Sequence, residues 1–244
     1  MKKYVFLISI LLSACGGGGS SNDEGVGEEN QRGVYFSFDG TGSSIIDSSG
    51  NGYDSKATGI SRVDGKVGDA VQFLTEGSVI ELLPEASPVT EMLSLTVWIK
   101  TDMEFTDRQQ IIGGWTGGKP GSFYPINNFG ISFINNRLSF EVSVYPGVLS
   151  VESDVLPIAF DEWFHIAVTY DGSQVKFYYN GSLINEESVI SDFDMIVGNQ
   201  IGHNYHVFGG ITIVDQFYGY IDELYLIEDL ITDQEILDYY NSTM

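Results

Sequence analysis

Residues 163–181 read WFHIAVTYDGSQVKFYYNG, and the fold class follows from them. Ile166, Val168 and Tyr170 alternate with His165, Ala167 and Thr169. That is the period of a β-strand, whose successive side chains point to opposite faces. Asp171-Gly172 and Asn180-Gly181 are tight-turn dipeptides between alternating runs. A two-residue type I′ hairpin needs φ > 0 at both central positions, so two successive hairpins are expected. The same alternation appears in Val34, Phe36 and Phe38. It recurs in Leu93, Leu95, Val97 and Ile99 against Ser94, Thr96, Trp98 and Lys100, and in Leu138, Phe140, Val142 and Val144. The 29 glycines suit a chain with many turns. One segment, Thr232 to Asn241, reads as a helix: Thr232 and Glu235 make a capping box, and Ile236, Tyr239 and Tyr240 form one apolar face. Many short strands, one short helix and no βαβ rhythm predict an all-β protein, a sandwich or barrel.

The chain has 244 residues and a single cysteine, Cys15, so no intramolecular disulfide can form and burial must hold the core. A composition 43% hydrophobic and 13% aromatic suits such a core. The formal net charge is -23, with acids spread along the chain. Such a surface repels phosphate backbones, which argues against nucleic acid as a partner. Solubility and cation binding are the two readings of the excess acid. At the N-terminus, Lys2 and Lys3 precede an apolar run from Tyr4 to Leu12. The run is far shorter than the ~20 residues that span a bilayer, so it reads as a signal-peptide core. Leu12-Ser13-Ala14-Cys15 resembles the lipobox of bacterial lipoproteins. The resemblance implies a signal peptide over residues 1–14 and a lipidated Cys15, with Gly16 after it directing the protein to the outer membrane. Contact with the membrane would then run through the lipid anchor only. Residues 15–32 are expected to form a flexible Gly/Ser/acidic tether, and residues 33–244 one domain.

Four segments carry a wider resemblance. The first is Tyr35-Phe36-Ser37-Phe38-Asp39-Gly40 with Asp47-Ser48-Ser49-Gly50-Asn51-Gly52, and the second is Gly65-Lys66-Val67-Gly68-Asp69-Ala70-Val71-Gln72-Phe73. The third is residues 163–181, and the fourth is Phe217-Tyr218-Gly219-Tyr220-Ile221-Asp222-Glu223, leading to Leu230-Ile231-Thr232 and the helix. In order and spacing, across about residues 33 to 242, they resemble the laminin-G-like domains of the concanavalin A-like lectin and glucanase superfamily. The resemblance implies a two-sheet antiparallel jelly-roll sandwich with first and last strands adjacent. The alternation agrees, since a two-sheet sandwich buries one face of each strand.

Glycosidases of this fold place Glu-x-Asp-x-x-Glu on one strand, so that alternation aims the carboxylates into a cleft. Here Asp222 and Glu223 are adjacent, which predicts opposite faces, and the catalytic spacing is absent. His165 reads as a structural strand residue. His203 and His206 lie in an expected loop from Gly198 to Gly210, without a cysteine to suggest zinc. Relatives often hold a structural calcium, for which Asp39, Asp47, Asn51, Asp54 and Asp222 are the candidate ligands. The competing reading is that these residues cap turns and satisfy backbone amides. Sugar binding needs aromatic rings beside fixed polar groups. Trp115, Phe123, Tyr124, Asn127 and Asn128 in the irregular stretch 113–128 could supply them, joined by Tyr145, Tyr205 and His206 if the loops share one edge. In the competing reading Trp115 and Phe123 turn inward and plug the sandwich. Trp98 and Trp163 read as core or sheet-face residues. The expected function is a non-catalytic recognition module for carbohydrate. A protein-binding or adhesion module is the first alternative and a glycoside hydrolase the second.

Overall fold

A computed structural model describes residues 33–83, 86, 89–90, 92–113, 128–144, 147–189, 195–197, 199–208 and 211–244. In chain order the strands are β1 (Gly33–Phe36), β2 (Ser44–Ile45), β3 (Ser55–Thr58), β4 (Ile60–Asp64), β5 (Asp69–Phe73), β6 (Val79–Glu81) and β7 (Val89–Thr90). They continue with β8 (Leu93–Lys100), β9 (Gln109–Gly113), β10 (Asn128–Ile134), β11 (Arg137–Val144), β12 (Gly147–Glu152), β13 (Phe164–Tyr170), β14 (Gln174–Tyr179) and β15 (Ser182–Ser188). The last are β16 (Met195–Val197), β17 (Gln200–Ile201), β18 (His203–Phe208), β19 (Ile211–Gln216) and β20 (Gly219–Ile227), before helix α1 (Asp233–Ser242).

Two sheets face each other. Sheet A runs β15-β14-β13-β8-β20-β5-β4, with β1 on β20, so the first and last strands are adjacent. Sheet B runs β12-β11-β10-β9-β17-β6-β3-β2, with β16 on β10 and β7 on β16. The alternating residues fill the space between the sheets. Leu93, Leu95, Val97 and Ile99 from β8, Ile166, Val168 and Tyr170 from β13, and Leu138, Phe140 and Val142 from β11 join one buried cluster. Stacking of Phe105 on Phe133, with centroids 4.1 Å apart, closes the end of that core where β8 leads to β9.

The turns follow local chemistry, with one correction. Asn180 (φ 49°) and Gly181 (φ 74°) both take the left-handed conformation that the β14–β15 hairpin requires. Asp171-Gly172 are not the two central residues of their turn. Tyr170 pairs with Val175 and the Asp171 N–H donates to the Gln174 carbonyl (3.2 Å), which puts Gly172 (φ 93°) and Ser173 at the tip, while the Asp171 carboxylate accepts the Ser173 and Gln174 N–H groups (2.8 and 2.7 Å). Asn135 and Asn136 (φ 50° and 55°) form a further tight turn between β10 and β11.

Helix α1 covers part of the outer face of sheet A. Thr232 caps it and Glu235 returns the bond to the Thr232 N–H, as the capping box predicts. Ile236 is fully buried with Ala167, Tyr178, Ile227 and Ile231 in a second small cluster. Burying such a side chain stabilises by roughly 1.5–3 kcal/mol. Tyr240 stacks on Trp98 at 5.5 Å, and the Trp98 Nε1–H donates to Thr243 Oγ1 (3.1 Å). Trp98 and His165, on the face opposite the main core, are therefore buried as well, at 1% and 0% exposure.

Two further expectations change. The stretch 198–210 is not mainly loop: it holds β17 and β18, and β18 pairs with β19 as a hairpin. Asp222 and Glu223 do not take opposite faces. β20 pairs Asp222 with Trp98 but Tyr225 with Thr96, three residues against two, which is a β-bulge. Ile221 and Leu224 both enter the core, so the two acids share the outward side between them, and Glu223 takes φ 52° to allow it.

Candidate functional site

The bulge creates a buried polar cluster beneath α1. Glu223 is 4% exposed, and its Oε2 accepts hydrogen bonds from Tyr35 (2.5 Å) and Tyr239 (3.2 Å). Asp222 is fully buried; Oδ2 accepts the N–H groups of Lys66 (2.7 Å) and Val67 (3.0 Å), and Oδ1 that of Glu223 (2.8 Å). Burial pushes the Asp222 carboxyl up to about 8 against the pull of those donors, and burial raises Glu223 too. Burial likewise pushes fully enclosed His165 down to about 3. These carboxyls are structural: their oxygens point at main chain and tyrosines, out of reach of a substrate in solution.

The five expected calcium ligands split into two groups, each bonded to backbone. Asp47 accepts the N–H groups of Tyr35, Ser49 and Tyr53 (3.1, 2.9 and 3.0 Å), Asp54 accepts that of Asp47 (2.9 Å), and Asn51 donates to the Gly33 carbonyl (2.8 Å). Together they tie the loop after β2 to β1. Asp39 accepts the Asp69 N–H (2.9 Å), and with Asp222 it clasps the turn between β4 and β5. Among the described residues no three His, Cys, Asp or Glu side chains gather as a metal set. The donor set does not fit one calcium sphere.

The outer face of sheet B is arranged differently. The register aligns one file of residues across eight strands: Ser150 opposite Glu141, Glu141 opposite Gly130, Gly113 opposite Gln200, Gln200 opposite Glu81, Glu81 opposite Lys56, and Lys56 opposite Ser44. Gly130 and Gly113 meet because Ile131 pairs with Ile112 and the strands run antiparallel. Each member lies next to a core residue, namely Phe140, Ile131, Ile112, Ile201, Ile80, Ala57 or Ile45, with partly buried Val151 beside Ser150. Alternation therefore turns the whole file outward. Seven gaps of about 4.8 Å make it about 34 Å long. At its centre the two glycines leave the floor low. The Gln110 side chain occupies that floor, donating to the Ile112 and Ile131 carbonyls (2.5 and 2.9 Å). A Cβ on Gly113 would come within 2.6 Å of the Gln110 amide nitrogen. Arg108 pairs with Glu141 and bonds Ser132 Oγ (3.3 Å), beside Ser139 and Ser150 (3.1 Å apart). Towards β2 the file ends in a cavity of about 470 Å³ lined by Ser44, Lys56, Glu81, Leu82, Leu83 and Asp54. Among the described residues no helix covers this face.

Apart from Asp54, none of these positions was singled out from the sequence. A signal existed in Gly130, a glycine inside the strand run NFGISFI, since such glycines mark close approach of another group. Of the expected sugar-binding residues, Trp115, Phe123, Tyr124, Asn127 and Tyr145 lie outside the described residues, as does Cys15. Asn128 begins β10, where only its backbone is described. Tyr205 and His206 lie in β18, again with only backbone described; its hairpin is rooted where Gly202 N–H bonds the Ile111 carbonyl and Tyr218 N–H bonds the Gln109 side chain. His203 and His206 both fall in β18.

Comparison with known proteins agrees with this architecture. Residues 74–237 match the family model of the concanavalin A-like lectin/glucanases superfamily, and the chain belongs to that family. It superposes on domain 4 of AbnA, a GH43 extracellular arabinanase from Geobacillus stearothermophilus, in complex with arabinotriose. The TM-score is 0.59 at 22% identity, covering 84% of this chain and 96% of that one. The binding domain of Paraclostridial Mosquitocidal Protein 1 gives a TM-score of 0.60 at 16% identity, covering 87% and 52%. The botulinum neurotoxin serotype D binding domain gives 0.64 at 14%, covering 87% and 51%. The chain thus spans about half the length of these two toxin domains. At such identities the likeness concerns the fold. No curated protein matched the chain.

Proposed function

We propose that this protein is a non-catalytic carbohydrate-recognition module, held at the bacterial outer membrane by a lipidated Cys15, that lays a glycan along the outer file of sheet B. The observation that carries the reading is that file: outward polar side chains and two glycines in register across eight strands. A sugar chain needs a low floor with hydroxyl partners, and the Gln110 amide lying over Gly113 and Gly130 makes that floor while Glu81, Gln200, Glu141 and Arg108 line it. The arabinotriose complex of a domain with the same fold supports the ligand class.

Catalysis is the weaker reading. A glycosidase pairs two carboxyls roughly 5–9.5 Å apart, one of them raised in pKa to serve as acid. Glu81 and Glu141 in the file stand four strand gaps, about 19 Å, apart. The carboxyls that burial does raise, Asp222 and Glu223, belong to sheet A beneath α1. The test is calorimetric titration of the full chain against neutral and acidic oligosaccharides, with a Glu81→Ala/Gln200→Ala variant. Binding lost in the variant is the expected result. Sugar release by the wild-type chain, abolished in Glu141→Gln, would refute the non-catalytic reading.

A further inference from the structure

The outer face of sheet A is only partly covered by α1. Beyond the helix a second file crosses four strands: Ser61 opposite Gln72, Gln72 opposite Tyr220, Tyr220 opposite Lys100, with Trp163 beside Lys100 just before β13. Ile99, Ile221, Val71 and Phe73 on the neighbouring positions enter the core, so Lys100, Tyr220 and Gln72 point outward. Trp163 and Tyr220 are both half-buried and meet edge to face at 6.3 Å. The Lys100 ammonium lies over both rings, 4.2 Å from the Tyr220 centroid and 5.3 Å from that of Trp163.

Among the described residues the ion pairs are Arg108–Glu141 and Lys176–Asp233, so Lys100 is held by aromatic faces and by no carboxylate. The platform is also braced. Asp161, two residues before Trp163, takes φ 59° and donates its N–H to the Thr101 carbonyl (2.8 Å), which fixes the approach to β13. Its position matters too. Gly33, where the chain enters the sandwich, pairs with Ile227, which pairs with Ser94. Lys100 is six residues further along β8, about 20 Å away at the opposite end. The patch therefore lies at the end of sheet A opposite to Gly33, the first described residue.

We propose that Trp163, Tyr220, Lys100 and Gln72 form a second glycan-binding surface, distinct from the file on sheet B, and that its ligand is a neutral sugar ring. The rings supply an apolar platform for the C–H face of a sugar, and Lys100, Gln72 and Ser61 supply donors and acceptors for its hydroxyls. Asp102, Asp161 and Glu162, all exposed around the patch, disfavour an anionic sugar. With a file on each sheet, one chain engages two glycan strands. This extends the reading of sheet B and rests on it for the ligand class.

The test is calorimetry of the full chain with neutral arabino-, xylo- and gluco-oligosaccharides, and oligogalacturonate as the acidic comparison. The expected result is two sites per chain, with Trp163→Ala removing one or weakening it about tenfold, as loss of an aromatic anchor does. Gln72→Ala, a surface change that leaves the platform intact, weakens the same site, and circular dichroism verifies the fold of both variants. Unchanged binding in Trp163→Ala, with loss in Glu81→Ala/Gln200→Ala, overturns the second surface and leaves sheet B standing. Loss in Trp163→Ala with no effect of the sheet B variant supports this surface and refutes the other. Preference for oligogalacturonate at this patch overturns the neutral ligand class. Absence of any binding in the wild-type chain overturns both.

Discussion

Replacing Asp222 with alanine should destabilise the domain by about 3–5 kcal/mol. The carboxylate is fully buried and holds three backbone donors: Lys66, Val67 and Glu223. Lys66 is half-buried and Val67 exposed, so water can replace the carboxylate at those two N–H groups, at about 1 kcal/mol each. The Glu223 N–H is enclosed beside the bulge and loses its acceptor without replacement, at about 1–3 kcal/mol. The cavity left by the carboxyl adds further loss, and removing a buried titratable group offsets part of it. For a domain of this size 1 kcal/mol corresponds to about 2–4 °C, so Tm should fall by roughly 10–15 °C. Urea unfolding followed by tryptophan fluorescence, with and without calcium, measures the change. The same loss under both conditions is expected, because the contacts are to main chain. A variant within about 1 kcal/mol of wild type would refute the clasp, and a loss seen only with calcium would restore Asp222 as a metal ligand.

Stability should also depend on pH through groups beneath α1. The Asp222 carboxyl is raised to about 8, so the folded state keeps a proton that the unfolded chain releases from about pH 4 upward. That contribution is present at low pH and is lost as pH rises to 8, while His165, lowered to about 3, loses stability as pH falls from about 6.5. Denaturation midpoints should therefore drop between pH 6.5 and 8, and Asp222→Asn should flatten that flank. Chelator should leave Tm unchanged to within about 2 °C, since the expected calcium ligands are already bonded to backbone; a fall above about 5 °C would show a calcium sphere completed by carbonyls. Asn135→Val should cost about 1–2 kcal/mol by thermal melt, because φ 50° is strained for a β-branched residue, whereas Asn135→Gly should be nearly neutral.

Much of the architecture was legible in the chain because its causes are local. Alternation over five to eight residues chooses the buried face of β8, β11 and β13, and Asn180-Gly181 and the Thr232–Glu235 box act within four residues. The two adjacent acids were misread because a bulge at Glu223 depends on which residue β8 sets opposite each position. The β13–β14 turn was misread by one position, because the Asp171 side chain caps the Ser173 and Gln174 N–H groups and the tip falls on Gly172-Ser173. Both candidate surfaces lie beyond such local reading. Ser44, Glu81, Glu141 and Gln200 become one file, and Gln72, Lys100, Trp163 and Tyr220 another, through strand order and register between residues up to about 150 positions apart. The sequence by itself determined which residues turn outward where a strand alternates without a bulge, as in β8, β11 and β13. Tertiary structure alone decided which of them stand side by side, because neighbours across a sheet are set by hydrogen-bonded pairing between distant segments, not by spacing along the chain.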